Sequence, residues 1–170
     1  VWGEPLIEKR QAQANLQNYE DKAIQLRDEI KTVDSGGTGY SQSFELSLDN
    51  GRARVINSEN AIEFETQTTR SPYPSEAWTL LSGSDRQGLS YGAGDYGIEG
   101  ENTDGVVSVK SRNNKVVYRV EFRNLRVQNP EGYSIEKTEL LPVGSTEARG
   151  DVNILLTNKG ERTDSITLQD

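Results

Sequence analysis

The chain has 170 residues and a net charge of −8, from 19 Lys and Arg against 27 Asp and Glu. This acidic balance argues against nucleic acid as a partner, because phosphates need a basic surface, and against electrostatic binding to an anionic membrane. The chain contains no Cys, no His and no Met. Disulfides, thiol nucleophiles, zinc–thiolate sites and histidine bases are therefore excluded, and we expect no enzyme.

Residues 1–34 predict a single N-terminal helix. Pro5 fits a first helical turn, no Pro or Gly follows from Leu6 to Val33, and residues 34–39 are rich in helix breakers. One seam of this helix is apolar, with members at steps of three and four residues: Leu16, Tyr19, Ala23, Leu26, Ile30 and Val33. The whole helix could pack on the chain's own sheet. We favour packing from Tyr19 to Val33, with the earlier turns left to meet other helices.

Residues 35–170 alternate in polarity with a period of two, which predicts an antiparallel β-domain. The sequence Asp-Asn-Gly at residues 49–51 predicts a hairpin turn, because Asn and Gly accept positive φ angles. In the strand at residues 61–65, Ile62 and Phe64 should point inward and the two Glu outward. We therefore expect an α+β fold, in which a long N-terminal helix packs on an antiparallel β-sheet or β-sandwich head.

Two more hairpins are predicted in the second half of the chain. The clearer one joins residues 106–110 to residues 116–122 through Asn113 and Asn114. The last hairpin should turn at residues 158–160, where Asn, Lys and Gly follow an alternating strand.

Residues 82–105 are rich in Gly, Ser, Asp and Tyr and predict a loop, with one short strand around Leu89 to Tyr91 as an alternative. Four acids lie close together in this segment: Asp95, Glu99, Glu101 and Asp104. Calcium takes about six to eight oxygen ligands, often from a flexible loop, so these acids are candidate calcium ligands. Their spacing differs from that of an EF-hand, and the alternative is a solvated acidic loop. We expect no other cofactor or metal.

Aromatic residues around the same loop suggest a shelf for a surface glycan: Tyr73, Trp78, Tyr91 and Tyr96. The alternative is that these rings cap the core or fill a subunit contact. No pair of carboxylates stands out by an apolar setting, so the paired acids of glycoside hydrolysis are not indicated.

The layout of the whole chain resembles the extracellular part of type IV pilin-like proteins, and most closely the archaeal branch of archaellins and adhesion pilins. The resemblance begins with an N-terminal helix, a Gly-rich break and a β-rich head. The start Val1-Trp2-Gly3-Glu4-Pro5-Leu6-Ile7-Glu8 resembles the interfacial end of a membrane anchor, where Trp lies at the headgroup level. Residues 115–125 resemble part of the family's β-head.

The resemblance implies that a hydrophobic anchor precedes Val1, and the lack of Met agrees with a processed or excised chain. It implies a cell-surface, extracellular protein that is anchored in the membrane through that segment. It also implies assembly with other pilin-like subunits, or with itself, through Trp2, Leu6, Ile7 and Leu16. The expected role is structural or adhesive, without catalysis. The alternative is a β-sandwich adhesin or carbohydrate-binding module that uses the loop at residues 73–105.

Overall fold

The computed structural model describes residues 4–68, 71–82, 96–98 and 105–170. Within these ranges it describes only the backbone of residues 4–15, 96–98, 124–129, 133 and 135. The elements in chain order are α1 Glu4–Ser35, β1 Ser41–Ile56, a 3₁₀ turn Asn57–Glu59, β2 Ala61–Gln67, β3 Thr79–Ser82, β4 Tyr96–Ile98, β5 Gly105–Arg112, β6 Lys115–Phe122, β7 Asn124–Asn129, β8 Gly132–Glu136, β9 Glu139–Pro142, β10 Glu147–Gly160 and β11 Thr163–Gln169.

The described strands form two sheets. Eight strands lie in the order β3-β5-β6-β2-β1-β10-β11-β9, and a smaller sheet has the order β4-β7-β8. All neighbours in the larger sheet are antiparallel except β11 and β9, which run parallel. One helix packed against this sheet confirms the α+β layout. We call the face that α1 contacts the helix face and the opposite face the outer face.

The hydrophobic core lies between α1 and the helix face. Ala23, Leu26, Ile30 and Val33 of α1 are fully buried there. Across from them, the rings of Phe64 in β2 and Tyr118 in β6 stack with centroids 5.2 Å apart. The helix and the strands thus share one core, and burial of this apolar surface is the main term that holds them together.

The hairpin predicted at residues 49–51 is wrong. Strand β1 continues through this segment and forms a wide bulge, because Ser47 pairs with Asp151 and Arg52 pairs with Arg149 on the same partner strand. The residues between Ser47 and Arg52 therefore lie opposite Gly150 alone. Asn50 has the positive φ of 46° that the sequence indicated, but the backbone uses it to bend a strand, not to reverse it.

Gly51 is required at this bulge by a close approach of two strands. A Cβ atom at Gly51 would lie 1.8 Å from the carbonyl oxygen of Glu65, so no larger residue fits without moving β2. The Asp-Asn-Gly signal was therefore correct about backbone conformation and wrong about topology.

The two later hairpins are confirmed, with one shift. Strands β5 and β6 join at Asn113, which has φ 56°, and Asn114. The last hairpin turns at Glu161 and Arg162, at φ 52° and 58°, and not at residues 158–160. The reason is that Asn158 is buried and remains within β10.

The two Glu of β2 have the outward direction that the sequence predicts, although neither side chain is exposed. Glu63 and Glu65 do point to the outer face, but they are only 5% and 7% exposed. Ion pairs with Arg54 and Arg52 of the neighbouring β1 satisfy them. The alternating polarity of β2 correctly predicted the direction of these side chains. Their burial depends on the arginines of the neighbouring strand, which cover them.

Candidate functional site

A polar groove lies between the bulge of β1, the end of β2 and the β5–β6 hairpin. It is open to solvent and has a volume of about 540 Å³, within the usual range for small-ligand sites. Its lining residues are Asn50, Arg52, Glu65, Gln67, Arg112, Asn113, Asn114 and Lys115. Three cations and one carboxylate make this lining positive in a chain whose net charge is −8.

Strand register brings these residues together from distant parts of the sequence. Arg52 lies opposite Glu65 in the β1–β2 pair, and Gln67 lies opposite Lys115 in the β2–β6 pair. Arg112 and Lys115 face each other across the β5–β6 turn. Cross-strand neighbours of this kind have Cβ atoms about 5 Å apart, which places their charged ends within reach of one another.

Glu65 is the central acid of the groove. Its Oε1 lies 3.0 Å from Nε of Arg52 and 3.4 Å from Nζ of Lys115. Arg52 also pairs with Glu147 of β10, with Nη1 and Oε1 3.2 Å apart. The hydrogen bond to Glu147 raises the pKa of Arg52, and the same bond lowers the pKa of Glu147, so both groups stay charged.

Arg112 and the amides are the more available groups. The ion pair from Arg112 Nε to Glu76 Oε1 is 4.0 Å long, and the two side chains are 38% and 64% exposed. Asn50 Nδ2 donates to Gln67 Oε1 at 2.6 Å, which orients both amides. This bond does not use the Asn50 carbonyl or the Gln67 NH₂ group, which are an acceptor and a donor among the lining residues.

A second polar cluster lies at the C-terminal end of α1. Asp164 of β11 is fully buried, and none of the described residues donates a hydrogen bond to either of its carboxylate oxygens. Asp34 lies beside it and accepts from Thr138 Oγ1 at 3.2 Å. Asn158 Nδ2 donates to the carbonyls of Val33 and Asp34 at 3.0 and 3.1 Å, which holds the helix end on β10.

Asp164 is a buried acid with a second acid, Asp34, as its neighbour. Burial first, and the neighbouring Asp34 carboxylate second, raise the pKa of Asp164 to about 8, while Arg162 opposes the shift. Asp164 therefore holds its proton at neutral pH. Asp164 is fully buried, while the Asp34 side chain is 14% exposed at the end of α1, and this placement suits a structural role rather than contact with a substrate.

The residues of the predicted helix seam face the sheet wherever their side chains are described. Leu16 is 5% exposed, and its backbone carbonyl accepts a hydrogen bond from the Tyr118 hydroxyl at 3.1 Å. Tyr19 is partly buried and donates its hydroxyl proton to the Ser47 carbonyl at 2.8 Å. Leu6 and Ile7 lie in the first turns of α1, and their side chains fall outside the described part, as does all of Trp2.

The structure does not bring the predicted aromatic shelf together in the residues it describes. Tyr73 packs against the core, and its hydroxyl hydrogen-bonds to Glu20 of α1. Trp78 belongs to the outer face, where Lys110 Nζ lies 4.5 Å from its ring centroid. Tyr73 and Trp78 therefore lie on opposite faces of the larger sheet. Tyr91 lies outside the described residues, and Tyr96 lies in β4 with only its backbone described.

The four calcium candidates lie outside the described residues: Asp95, Glu99, Glu101 and Asp104. Within the ranges that are described, no group of three or more acidic side chains is arranged to hold a metal ion. In the same ranges, no helix is long and apolar enough to cross a membrane.

Sequence reasoning missed both clusters, and only the acid cluster had a signal in the sequence. Asp164 shares its strand face with Ile166 and Leu168, so its alternation already placed an acid in the core. The groove was not predicted, because Asn50, Asn113 and Asn114 were interpreted only as turn residues. Nothing in the sequence indicated that the bulge at Asn50 and the turn at Asn113, some sixty residues apart, would lie side by side, since that depends on the pairing of β2 with β6.

No protein-family model, no curated protein and no solved structure matches this chain significantly.

Proposed function

We propose that this chain is the extracellular head of a type IV pilin-like cell-surface subunit, with a structural or adhesive role and no catalysis. In this proposal a hydrophobic segment upstream of Val1 anchors the protein in the membrane, and the turns of α1 before Leu16 extend that segment to contact other subunits. In the same proposal the head is a β-sandwich, and the helix α1 is long enough to extend past the edge of the larger sheet.

The observation that supports this proposal is how the C-terminal part of α1 is seated. Its apolar seam from Leu16 to Val33 is buried on the helix face, and Tyr118 and Tyr19 tie the beginning of this part to β6 and β1. Such seating leaves the apolar residues Leu6 and Ile7, further towards the N-terminus, as the natural contacts for a neighbouring helix. A head of this kind needs a rigid attachment at the helix end, which Asn158 supplies.

Disulfide cross-linking of the full-length protein on cells tests the proposal. Because the chain has no Cys, a single Leu6→Cys variant carries one thiol, and Ser43→Cys on the exposed outer face is the matched control. We expect oxidation to join subunits through residue 6 and not through residue 43. Equal cross-linking at both positions, or a full-length sequence without a hydrophobic segment before Val1, would overturn the proposal.

A second candidate function is an adhesin or carbohydrate-binding module that uses the loop at residues 73–105. The observation that favours it is Trp78, a half-buried ring at the start of this loop. Binding on a glycan array should disappear when Trp78, Tyr91 and Tyr96 are replaced by Ala. Binding that survives all three replacements contradicts this loop as the site.

A further inference from the structure

We propose that the polar groove binds a saccharide unit that carries a carboxylate, such as a hexuronate. None of the aromatic residues of the loop is among the described residues that line this site, and the inference does not depend on the assembly proposed above. Its volume of about 540 Å³ has room for a monosaccharide and part of a neighbouring unit. The chemistry of the lining decides the class of ligand.

Arg112 is the group that would take the carboxylate. A guanidinium binds a carboxylate through two parallel N–H···O bonds, which gives both strength and orientation. The present partner, Glu76, is 64% exposed and 4.0 Å away, so exchanging it for a ligand carboxylate gives up little. The other two cations of the groove are already engaged, because Glu65 accepts from Arg52 and from Lys115.

The amides and Glu65 match the hydroxyls of a sugar ring. A hydroxyl donates one hydrogen bond and accepts others, and an amide side chain offers both functions in one plane. Asn50 and Gln67 are oriented by their mutual bond, and Asn113 and Asn114 also line the groove. The Glu65 carboxylate adds an acceptor that a hydroxyl can reach, fixed in place by its two cations.

The same acid disfavours a polyphosphate or nucleic acid. Glu65 is central to the lining and would repel closely spaced phosphates, and the net charge of −8 opposes a polyanion at longer range. A single carboxylate on an otherwise neutral polyol carries much less of both penalties, because it brings one negative charge instead of several. The groove therefore fits an acidic sugar better than it fits either a neutral sugar or a phosphate polymer.

Titration of the intact protein with glucuronate, glucose and inorganic phosphate, followed by NMR chemical shifts or calorimetry, tests the proposal. We expect glucuronate to bind with an affinity on the order of millimolar and to bind more tightly than either of the other two probes. Arg112→Gln should weaken glucuronate binding by about tenfold or more, because it removes a charged hydrogen-bonding pair. Arg112→Lys should recover only part of the loss.

Two matched variants complete the experiment. Arg149→Gln removes a 67% exposed arginine that pairs with Glu147 outside the groove and should leave glucuronate binding unchanged. Asn114→Ala should weaken glucuronate more than it weakens phosphate. The proposal is overturned if glucuronate fails to bind, if glucose or phosphate binds as tightly, if Arg112→Gln has no effect, or if Trp78→Ala rather than Arg112→Gln abolishes binding.

Discussion

The two faces of strands β2, β6 and β5 are almost equally buried and are built from opposite chemistry. The helix face carries Ile62, Phe64 and Tyr118, all fully buried. The outer face of the same strands carries Glu63 and Arg119, at 5% and 4% exposure. Burial alone therefore does not identify the stabilising face of this sheet. Apolar surface gains free energy in proportion to its area, whereas a buried ion pair loses most of its Coulomb gain to desolvation.

The comparison assigns different roles to the two faces. The helix face supplies most of the folding free energy, and the outer face fixes which strand pairs with which, because a one-residue slip would separate Arg54 from Glu63 and Arg52 from Glu65. The acid pair at Asp34 and Asp164 is the exception on the helix face. Substitutions on each face test this assignment of roles.

The largest effect is expected at Phe64. Replacing Phe64 by Ala removes a fully buried ring that stacks on Tyr118, and the free energy of unfolding should fall by about 3–5 kcal/mol. Urea unfolding of the purified chain measures this loss, and Phe64→Leu is the control that should lose clearly less. A loss below about 1 kcal/mol for Phe64→Ala would mean that the helix face is not the main source of stability.

The next largest effect is a gain at Asp164. Its pKa is raised to about 8 from 3.8, so between these values the folded chain holds a proton that the unfolded chain has lost. The contribution of Asp164 to the free energy of unfolding is therefore greatest at low pH and falls as pH rises from about 4 to about 8. Asp164→Asn should stabilise the protein by about 1–4 kcal/mol at neutral pH and remove this part of the pH dependence.

Chemical unfolding at several pH values measures the difference between the wild type and Asp164→Asn. Asp151→Asn, at an exposed position of β10, is the control and should leave the pH dependence unchanged. A difference that grows as pH falls would contradict the raised pKa of Asp164.

A smaller loss is expected on the outer face. Arg54→Met leaves the Glu63 carboxylate, 6% exposed at its side chain, without its 3.1 Å partner, and should cost about 1–3 kcal/mol. Adding Glu63→Leu should recover most of that loss, because an apolar pair of similar volume can replace a buried ion pair. A double-mutant cycle in urea measures the coupling. If the double variant loses as much as the two single variants combined, the outer face stabilises the fold as the helix face does.

The smallest effect is expected at the Tyr118 hydroxyl. Burial raises the pKa of Tyr118, and its hydroxyl donates to the Leu16 carbonyl, so Tyr118→Phe should cost about 0.5–1.5 kcal/mol. Tyr40→Phe, at a 39% exposed position, is the control and should change stability by less than about 0.5 kcal/mol. Thermal unfolding compares the two variants, and an equal effect at both tyrosines would show that the bond to α1 contributes nothing.

Local features of the fold could be predicted wherever a few neighbouring residues carried the information. The spacing of Ala23, Leu26, Ile30 and Val33 placed them on one side of a helix, and all four are buried. The β5–β6 hairpin followed from the Asn113–Asn114 turn between two alternating strands. The candidate groove could not be predicted in the same way, because its residues come from three separate stretches of the chain.

Residue type and short spacing were enough to predict the helix, the alternation of the strands, the positive φ angles at Asn50 and Asn113, and the lack of thiol and imidazole groups. Only the tertiary structure decided that residues 49–51 bend β1 rather than reverse it, since β10 pairs on both sides of the bulge. It also decided that Glu63 and Glu65 are buried and that Asp164 meets Asp34. Those outcomes depend on partners distant in the chain, whose approach is set by the pairing of whole strands and by the packing of α1 on the sheet.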